Sequence, residues 1–258
     1  MLVQDAYAEF SFADAFTLDA GLMFIPFSRN GLQSAGTLLP IDYGAFTFSD
    51  SAPTQSATGR DTGFQARGYF AGNRFEYRIG AFQGVRDGGS DNAFRYAGRV
   101  QYNALDTESG FFYTGTYLGK KKILSAGGYF DYQPDDTGPY QSFGGDVHAD
   151  LPAGPGGVTA HVDLVRRDGK DFVALPKQTA LLGELGYRVD AIKLSPIVRY
   201  EQRWSDLDGD DESAFGAGLA YWFWGHNSNL KAFYTRVTPE EPLEAYNQFN
   251  LQWQVFFY

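Results

Sequence analysis

The chain has 258 residues, no cysteine and a formal net charge of −10 at neutral pH. The absence of cysteine excludes disulfides and thiolate metal sites, and the acidic balance argues against nucleic acid as a partner, because proteins that bind it carry basic surfaces. Aromatic residues reach 17% of the sequence. Its apolar runs are far shorter than the ~20 residues that a membrane-spanning helix needs.

Apolar and polar residues alternate with a period of two along most of the chain, which is typical of strands with two different faces. In residues 63–71, for example, Phe64 lies on one face and Arg67 on the other. The same alternation predicts thirteen strands and no long helix. These strands cover residues 4–12, 17–27, 63–71, 75–83, 93–104, 122–133, 141–151, 158–167, 178–189, 192–204, 213–224, 229–237 and 247–258.

Two all-β architectures are compatible with this pattern. A soluble sandwich buries its apolar faces, whereas a transmembrane antiparallel barrel turns them toward lipid and keeps a polar interior. The predicted segments have the length of tilted spanning strands, and charged residues occupy the middle of their polar faces, where a dry core would not tolerate them unpaired. We therefore predict one barrel domain over residues 1–258. Its predicted interfacial girdle consists of Trp222, Trp224, Trp253, Phe257 and Tyr258.

The last strand, 247–258, alternates most clearly. From Phe249 onward its odd-numbered residues are apolar, and its even-numbered residues from Gln248 to Gln254 are amides, so one face is expected to contact lipid and the other water. A terminal aromatic strand of this kind resembles the recognition signal of bacterial outer-membrane proteins, although the apolar register ends at Phe257 and Tyr258 is one residue extra.

The connections give a test of strand number. Counting back from the last strand places short turns at one end of the barrel and long polar loops at the other, as in bacterial barrels. Those barrels have an even number of strands. Residues 106–121 break the rule. If they contain a strand, the total is fourteen and the long loop 28–61 falls on the periplasmic side. If they form one connection, that loop is external and the total is thirteen, which implies an odd number of strands upstream of Met1. Loop length favours the second alternative.

Three segments resemble the phosphate-selective porin O and P family: residues 4–29, residues 99–133 and the ending "FNLQWQVFFY". The strongest piece is "GTYLGKKKIL" at 115–124. The resemblance implies a sixteen-stranded, homotrimeric barrel in the bacterial outer membrane, with about three strands upstream of this sequence. Residues 20–28 lack the lysines often found there in the family, so phosphate specificity is not expected.

Period two also assigns charged residues to the inner face. Four arginines on three successive strands precede four acids on the next three, which predicts opposed charged arcs across a wet lumen or, alternatively, a chance clustering of polar residues. Loop 28–61 is expected to narrow the pore, to cap the rim or to contact a neighbouring subunit. The predicted pore-lining residues are Arg67, Arg78, Arg95, Arg99, Asp131, Asp146, His148, His161, Asp163, Arg188, Lys193, Arg199, Glu201, Arg203 and Lys231.

One constellation on this face has metal-ligand chemistry. If the hairpin around residues 152–157 is symmetric, His148 lies opposite His161 and Asp146 opposite Asp163. Two imidazoles and two carboxylates could hold a divalent cation or titrate near neutral pH, whereas a polar patch without a ligand is the simpler interpretation. Lys120–Lys122 and the acidic run 206–212 are expected to be solvated loops.

Taken with the family resemblance, these patterns predict an outer-membrane porin that lets small hydrophilic solutes or ions diffuse passively, with no cofactor and no catalytic step. Lipid and a homotrimer are the expected partners. Two alternatives remain. A barrel-embedded hydrolase would need a serine activated by His148 or His161, and none is obviously placed. A soluble β-sandwich binding protein would bury the apolar faces instead.

Overall fold

The computed structural model describes residues 3, 5–48, 59–86, 92–170 and 175–256. Within them the alternating segments form thirteen strands, as predicted. They are β1 (Ala6–Ala13), β2 (Phe16–Phe24), β3 (Arg60–Phe70), β4 (Phe75–Phe82), β5 (Arg95–Asn103), β6 (Ile123–Gln133), β7 (Tyr140–Ala153), β8 (Gly156–Asp168), β9 (Gln178–Val189), β10 (Leu194–Ser205), β11 (Glu212–Tyr221), β12 (Ser228–Pro239) and β13 (Tyr246–Val255). One short helix, α1, spans Arg29–Leu32.

All thirteen strands belong to one antiparallel sheet in which each strand pairs with its neighbours in the sequence. The connection between β5 and β6 contains no strand in the described structure, so the interpretation with thirteen strands is correct. Strands β1 and β13 form the two edges and do not pair with each other. No helix in the described ranges has the length and apolar character to cross a membrane.

The two faces of the sheet differ as the alternation predicts. Phe64, Tyr96, Leu219 and Trp253 lie on the outer face and are 63%, 43%, 49% and 72% exposed. The charged residues between them are buried on the inner face. A sandwich would show the reverse, because it buries apolar side chains against a second layer. The structure therefore excludes the sandwich.

Two connections fold against the inner face. The first is the described part of the long loop, residues 25–48, and the second is the β5–β6 connection, residues 104–122. Residues of the first connection bond to Asp146 on β7, to Lys231 on β12 and to Gln254 on β13. Because one short segment reaches strands so far apart in the sheet, the sheet must curve around it.

Apolar residues of these connections form two clusters on the inner face. Phe27, Leu32 and Phe111 pack in the first, and Leu39 and Leu118 in the second. Burying such side chains contributes roughly 1.5–3 kcal/mol each when they leave water. Apolar side chains of the two connections therefore pack between the charged residues of the inner face.

Trp222 corrects the predicted girdle. It is 1% exposed, packs in the second inner cluster and donates from Nε1 to Ser195 Oγ at 2.9 Å. The alternation continues past the end of β11, so Tyr221 and Phe223 face outward and Trp222 faces inward. Trp224 and Trp253 are 73% and 72% exposed. Residues 257 and 258, also assigned to the girdle, lie outside the described residues.

Candidate pore lining

The two inward connections meet on the inner side of the sheet. Tyr113 N donates to Leu32 O at 2.9 Å, Ser34 N donates to Tyr113 O at 2.9 Å, and Thr116 N donates to Thr37 O at 3.0 Å. In an antiparallel sheet the β2–β3 and β5–β6 connections leave from opposite ends. Their contact therefore spans the inside from one end to the other.

An ion pair joins the two connections. Arg29 is buried and binds both carboxylate oxygens of Glu108, with Nη1–Oε2 at 2.7 Å and Nη2–Oε1 at 2.8 Å. Burial disfavours the charged guanidinium, but the Glu108 carboxylate outweighs this effect and raises the pKa of Arg29. Ser28 Oγ caps α1 by accepting from Gly31 N at 3.1 Å. The pair fixes the tip of one connection on the other.

Basic side chains of the strands hold the first connection by its backbone. Lys231 Nζ donates to Leu38 O at 2.6 Å and Pro40 O at 2.9 Å. Arg167 Nη1 donates to Phe46 O at 2.6 Å. A buried carbonyl needs a donor, and these cations supply it where no strand partner is available.

Arg199 is a further anchor of the first connection. It bonds to Asp42 Oδ1 at 2.8 Å and to Tyr43 O at 3.3 Å from the same nitrogen, and to Glu184 Oε1 at 2.9 Å from Nε. Glu201 Oε2, nearby on β10, accepts from Ala45 N at 2.5 Å. Residues 42–45 are therefore held by both signs of charge.

The second connection is held in the same way. Arg78 Nη1 donates to Phe111 O at 2.6 Å, and Arg188 Nη1 donates to Leu118 O at 3.0 Å. On the acidic side, Asp150 accepts from Tyr117 N at 2.9 Å and from Gly119 N at 3.1 Å. All four partners in the connection are backbone groups. These hydrogen bonds therefore depend on the path of the connection rather than on its side chains.

The predicted arginine and acid arcs lie side by side. Arg95 Nε donates to Asp131 Oδ1 at 2.7 Å, and Arg99 binds Asp146 through Nη1–Oδ2 at 2.5 Å and Nη2–Oδ1 at 2.8 Å. The two arcs therefore meet through these pairs within β5–β7 and do not face each other across the lumen, so the prediction of a field between opposed arcs is wrong. A period of two assigns each side chain to a face of the sheet, but it does not say how far apart the charged residues of different strands lie.

The predicted register of the β7–β8 hairpin is confirmed. His148 pairs with His161 and Asp146 with Asp163. The imidazole centroids are 5.8 Å apart, and His161 Nε2 lies 3.9 Å from Asp163 Oδ2. In the part of the chain that the structure describes, no group of three or more His, Cys, Asp or Glu residues is arranged to hold a metal. The metal candidate is therefore wrong, because Arg99 engages Asp146 and Tyr129 donates to Asp163.

The hydrolase alternative required a serine beside His148 or His161, and the structure places Ser125 beside His148. It pairs with His148 across β6 and β7. However, Arg29 Nη1 donates to Ser125 Oγ at 3.4 Å, and neither ring nitrogen of His148 has a hydrogen-bond partner. Ser125 and His148 are 2% and 0% exposed. A nucleophile needs both a base and access to substrate, and this pair has neither.

The remaining predicted residues occupy the ends of the sheet. Lys193 is exposed in the β9–β10 turn, with a left-handed φ of 54°, so it is not on the inner row to which it was assigned. Arg203 Nη2 binds Asp210 Oδ1 at 2.9 Å near the long-loop end. Lys120–Lys122 are exposed at the opposite end.

Sequence reasoning missed several inner residues. Arg167 shares the parity of His161 and Asp163, so the period alone could have identified it. Arg60 pairs with Asp5, with Nε–Oδ1 at 2.9 Å, but it lies just before the predicted strand. Arg29 and Glu108 are in connections, where no periodic signal exists.

Part of the inner face remains uncovered near the two edges of the sheet. Its side chains are hydroxyls and amides together with one carboxylate. They belong to Glu9 and Ser11 on β1, Thr235 on β12, and Gln248, Asn250 and Gln252 on β13. The six side chains of this hydrophilic strip are exposed or half-buried.

An apolar outer face, a charged inner face and connections folded inward between the strands define a porin of the β-barrel class of outer-membrane proteins. The sequence profile of the phosphate-selective porin O and P family matches residues 1–131, and the chain belongs to that family. The protein is thus an outer-membrane porin that allows passive diffusion of solutes, and its family and fold are those of a channel rather than an enzyme.

Comparison with solved structures agrees on the fold. Salmonella typhi OmpF in complex with daunomycin is similar with a TM-score of 0.60 at 16% identity, over 91% of this chain and 70% of that chain. A search of curated protein sequences gave no significant match.

Proposed function

We propose that the inner face of the sheet lines a water-filled pore, and that connections 25–48 and 104–122 narrow it. The observation that carries the proposal is their mutual pairing through Tyr113, Leu32 and Ser34, at 2.9 Å for each bond. A lumen divided by two connections passes small hydrophilic solutes and ions and excludes larger ones. Selectivity then depends on pore width and wall charge.

The remaining predicted lining residues have two roles in this proposal. Arg78, Arg188, Arg199 and Lys231 fix the narrowing by binding the connections. The other charged residues of the row, including Arg67, Arg95 and Asp131, stabilise the wall as ion pairs. Buried ion pairs keep a polar wall rigid, because moving one partner away would leave the other charge uncompensated.

In the membrane we propose that neither β1 nor β13 is left as an open edge and that both are paired within a closed barrel. Hydrocarbon offers no hydrogen bonds to the backbone of an open sheet edge, and each unsatisfied group costs several kcal/mol. The exposed aromatic residues of the outer face suit contact with lipid. The family resemblance also supports a homotrimer, which crosslinking and mass measurement of the detergent-extracted protein would test.

Planar-bilayer recordings test the narrowing. Lys231→Met removes the donor to Leu38 and Pro40 while keeping an unbranched side chain, so the first connection should loosen and single-channel conductance should rise. Lys193→Met is the matched control, because Lys193 is exposed in the β9–β10 turn and lies outside the strands and both connections. A folded wild-type protein with no conductance would refute the pore. An unchanged conductance in Lys231→Met would refute the narrowing.

A further inference from the structure

We propose that this porin favours cations over anions, phosphate included. The inference rests on the proposed function, since it concerns the solutes of the same pore. It is drawn from how the charges of the inner face are used, and it differs from what the family description would suggest.

The basic side chains of the inner face are occupied. Each of those described has a carboxylate partner, a backbone carbonyl partner or both. The carboxylate pairs are Arg29–Glu108, Arg60–Asp5, Arg67–Asp19, Arg78–Glu76, Arg95–Asp131, Arg99–Asp146, Arg188–Asp190, Arg199–Glu184 and Arg203–Asp210.

Arg167 and Lys231 complete the set through the carbonyls of Phe46 and Leu38. An anion that entered would have to compete with these partners at each of these side chains. Nε of Arg29 and Nε of Arg167, which bond to no partner within the described residues, are buried. Most of these cations sit in buried, hydrogen-bonded pairs, whereas the pairs of Arg188 and Arg203 are partly exposed. Displacing the partner from a buried pair leaves that carboxylate or carbonyl unsatisfied, at about 1–3 kcal/mol or more. The inner face is therefore not a ladder of free donors for phosphate.

Some inner carboxylates are held by neutral hydroxyl and amide donors. Asp150 is held by the hydroxyl groups of Thr116 and Thr159, both at 2.8 Å, and by backbone amides. Asp61 accepts from Gly84 N at 2.8 Å and from Thr62 N at 2.7 Å. Neutral donors stabilise such carboxylates without cancelling their charge, just as neutral carbonyls leave the charges of Arg167 and Lys231 uncancelled. The negative excess of the inner face comes from arginines that contact more than one carboxylate, since Arg67 contacts two and Arg199 contacts three.

The hydrophilic strip adds to this excess. Of its six side chains, Glu9 alone carries a charge, and its carboxylate is 42% exposed although it contacts Arg67. Water-filled passage along this strip would bring solutes past amides, hydroxyls and one carboxylate. No basic side chain belongs to it. A cation gains attraction there, whereas an anion finds only neutral donors.

The long-loop end is also acidic. The β10–β11 connection, 206–211, contacts the β12–β13 connection, 240–245, through Glu240, which accepts from Gly209 N at 3.0 Å and Asp211 N at 3.2 Å. Beside them, Arg203 pairs with Asp210 and Lys177 with Asp206, both acids of the β10–β11 connection. The acids of the two connections are Asp206, Asp208, Asp210, Asp211, Glu240, Glu241 and Glu244.

These acids outnumber the bases beside them, so the mouth has a negative potential. At physiological salt the potential extends about 8 Å, which covers a narrow mouth. It concentrates cations at the entrance and repels anions. Lys120–Lys122 lie at the opposite end, so the expected preference is moderate rather than strict.

Reversal potentials of the full chain in a planar bilayer test the inference. In a tenfold KCl gradient we expect potassium to permeate about two to five times better than chloride, with a larger ratio at lower salt because screening is weaker. Replacing chloride with phosphate should lower the anion contribution further.

Two triple variants identify the source of the preference. D208N/E241Q/E244Q removes three charges at the mouth and should lower the potassium-to-chloride ratio, whereas D208E/E241D/E244D keeps the charges and should leave the ratio as in the wild type. A conducting wild-type channel with equal or anion-favouring permeability would overturn the inference but leave the pore intact. A folded protein without conductance would overturn the proposed function instead.

Discussion

Replacement of Arg99 by methionine tests whether the inner ion pairs stabilise the barrel. Arg99 is 2% exposed, and its guanidinium makes two bonds to Asp146, one to Gln101 at 2.8 Å and one to Tyr113 Oη at 3.1 Å. Methionine keeps most of the aliphatic stem and removes every donor. Asp146 then keeps the hydrogen bond from the backbone N–H of Arg29, at 3.1 Å.

The expected loss follows from leaving a buried carboxylate uncompensated. Removing one partner of a buried pair costs about 3–5 kcal/mol. The double variant R99M/D146N should recover about half of that loss or more, because asparagine is neutral and still accepts from Arg29 N. Coupling between neighbours of this kind reaches about 0.5–3 kcal/mol in double-mutant cycles.

Urea unfolding of the lipid-embedded protein provides the assay, followed by tryptophan fluorescence and by heat-modifiable migration on gels. R99M should lower the free energy of unfolding by several kcal/mol, and R99M/D146N should be more stable than R99M alone. If R99M lies within about 1 kcal/mol of the wild type, as exposed ion pairs do, the pair is hydrated and the argument for a rigid, internally paired wall is refuted.

Three further predictions follow from particular contacts. Trp222→Ala should lower the free energy of unfolding by about 3–5 kcal/mol by emptying the second inner cluster, whereas Trp224→Ala, at a residue 73% exposed to lipid or solvent, should cost far less; equal losses would contradict the assignment of faces. Gly218→Ala should destabilise by about 1–3 kcal/mol, because its Cβ would lie 2.2 Å from Phe233 Cδ2, whereas Gly128→Ala, with its nearest atom at 3.9 Å, should be neutral in the same assay. Burial lowers the pKa of His226 below its usual 6.5, and its Nε2 bonds to Thr116 O at 2.8 Å. The unfolded chain therefore takes up the proton first, and the stability difference between wild type and His226→Gln should be full above pH 6.5 and fall as pH drops below it; a difference that is constant from pH 8 to 5 would show that His226 does not titrate with unfolding.

The strands were predictable because period two is a direct consequence of strand geometry. Each predicted strand overlaps an observed one, and the symmetric turn after Ala153 was enough to pair His148 with His161. The error at Trp222 has the same origin. Four consecutive aromatics at 221–224 suggested one interfacial girdle, but consecutive residues of an extended chain face opposite sides.

The inward connections were not predictable in this way, because nothing periodic specifies where a loop packs. The pairing of Arg29 with Glu108 joins two non-repeating segments 79 residues apart. The bonds from Lys231 and Arg199 end largely on backbone carbonyls, which every residue has and which leave no trace in the sequence. Sequence therefore identified these cations as inner-face residues but could not say what they bind.

That ambiguity bears directly on function. A row of arginines and lysines facing inward has the same period and composition whether its charges meet an anion in water or a loop carbonyl. Here Arg78, Arg167, Arg199 and Lys231 bind connections. A donor engaged by a buried carbonyl is released only at the cost of leaving that carbonyl unpaired. Basic residues on the inner face of a barrel are thus evidence for anion transport only where their donors are shown to face water, and in this porin these four bind the inward connections instead.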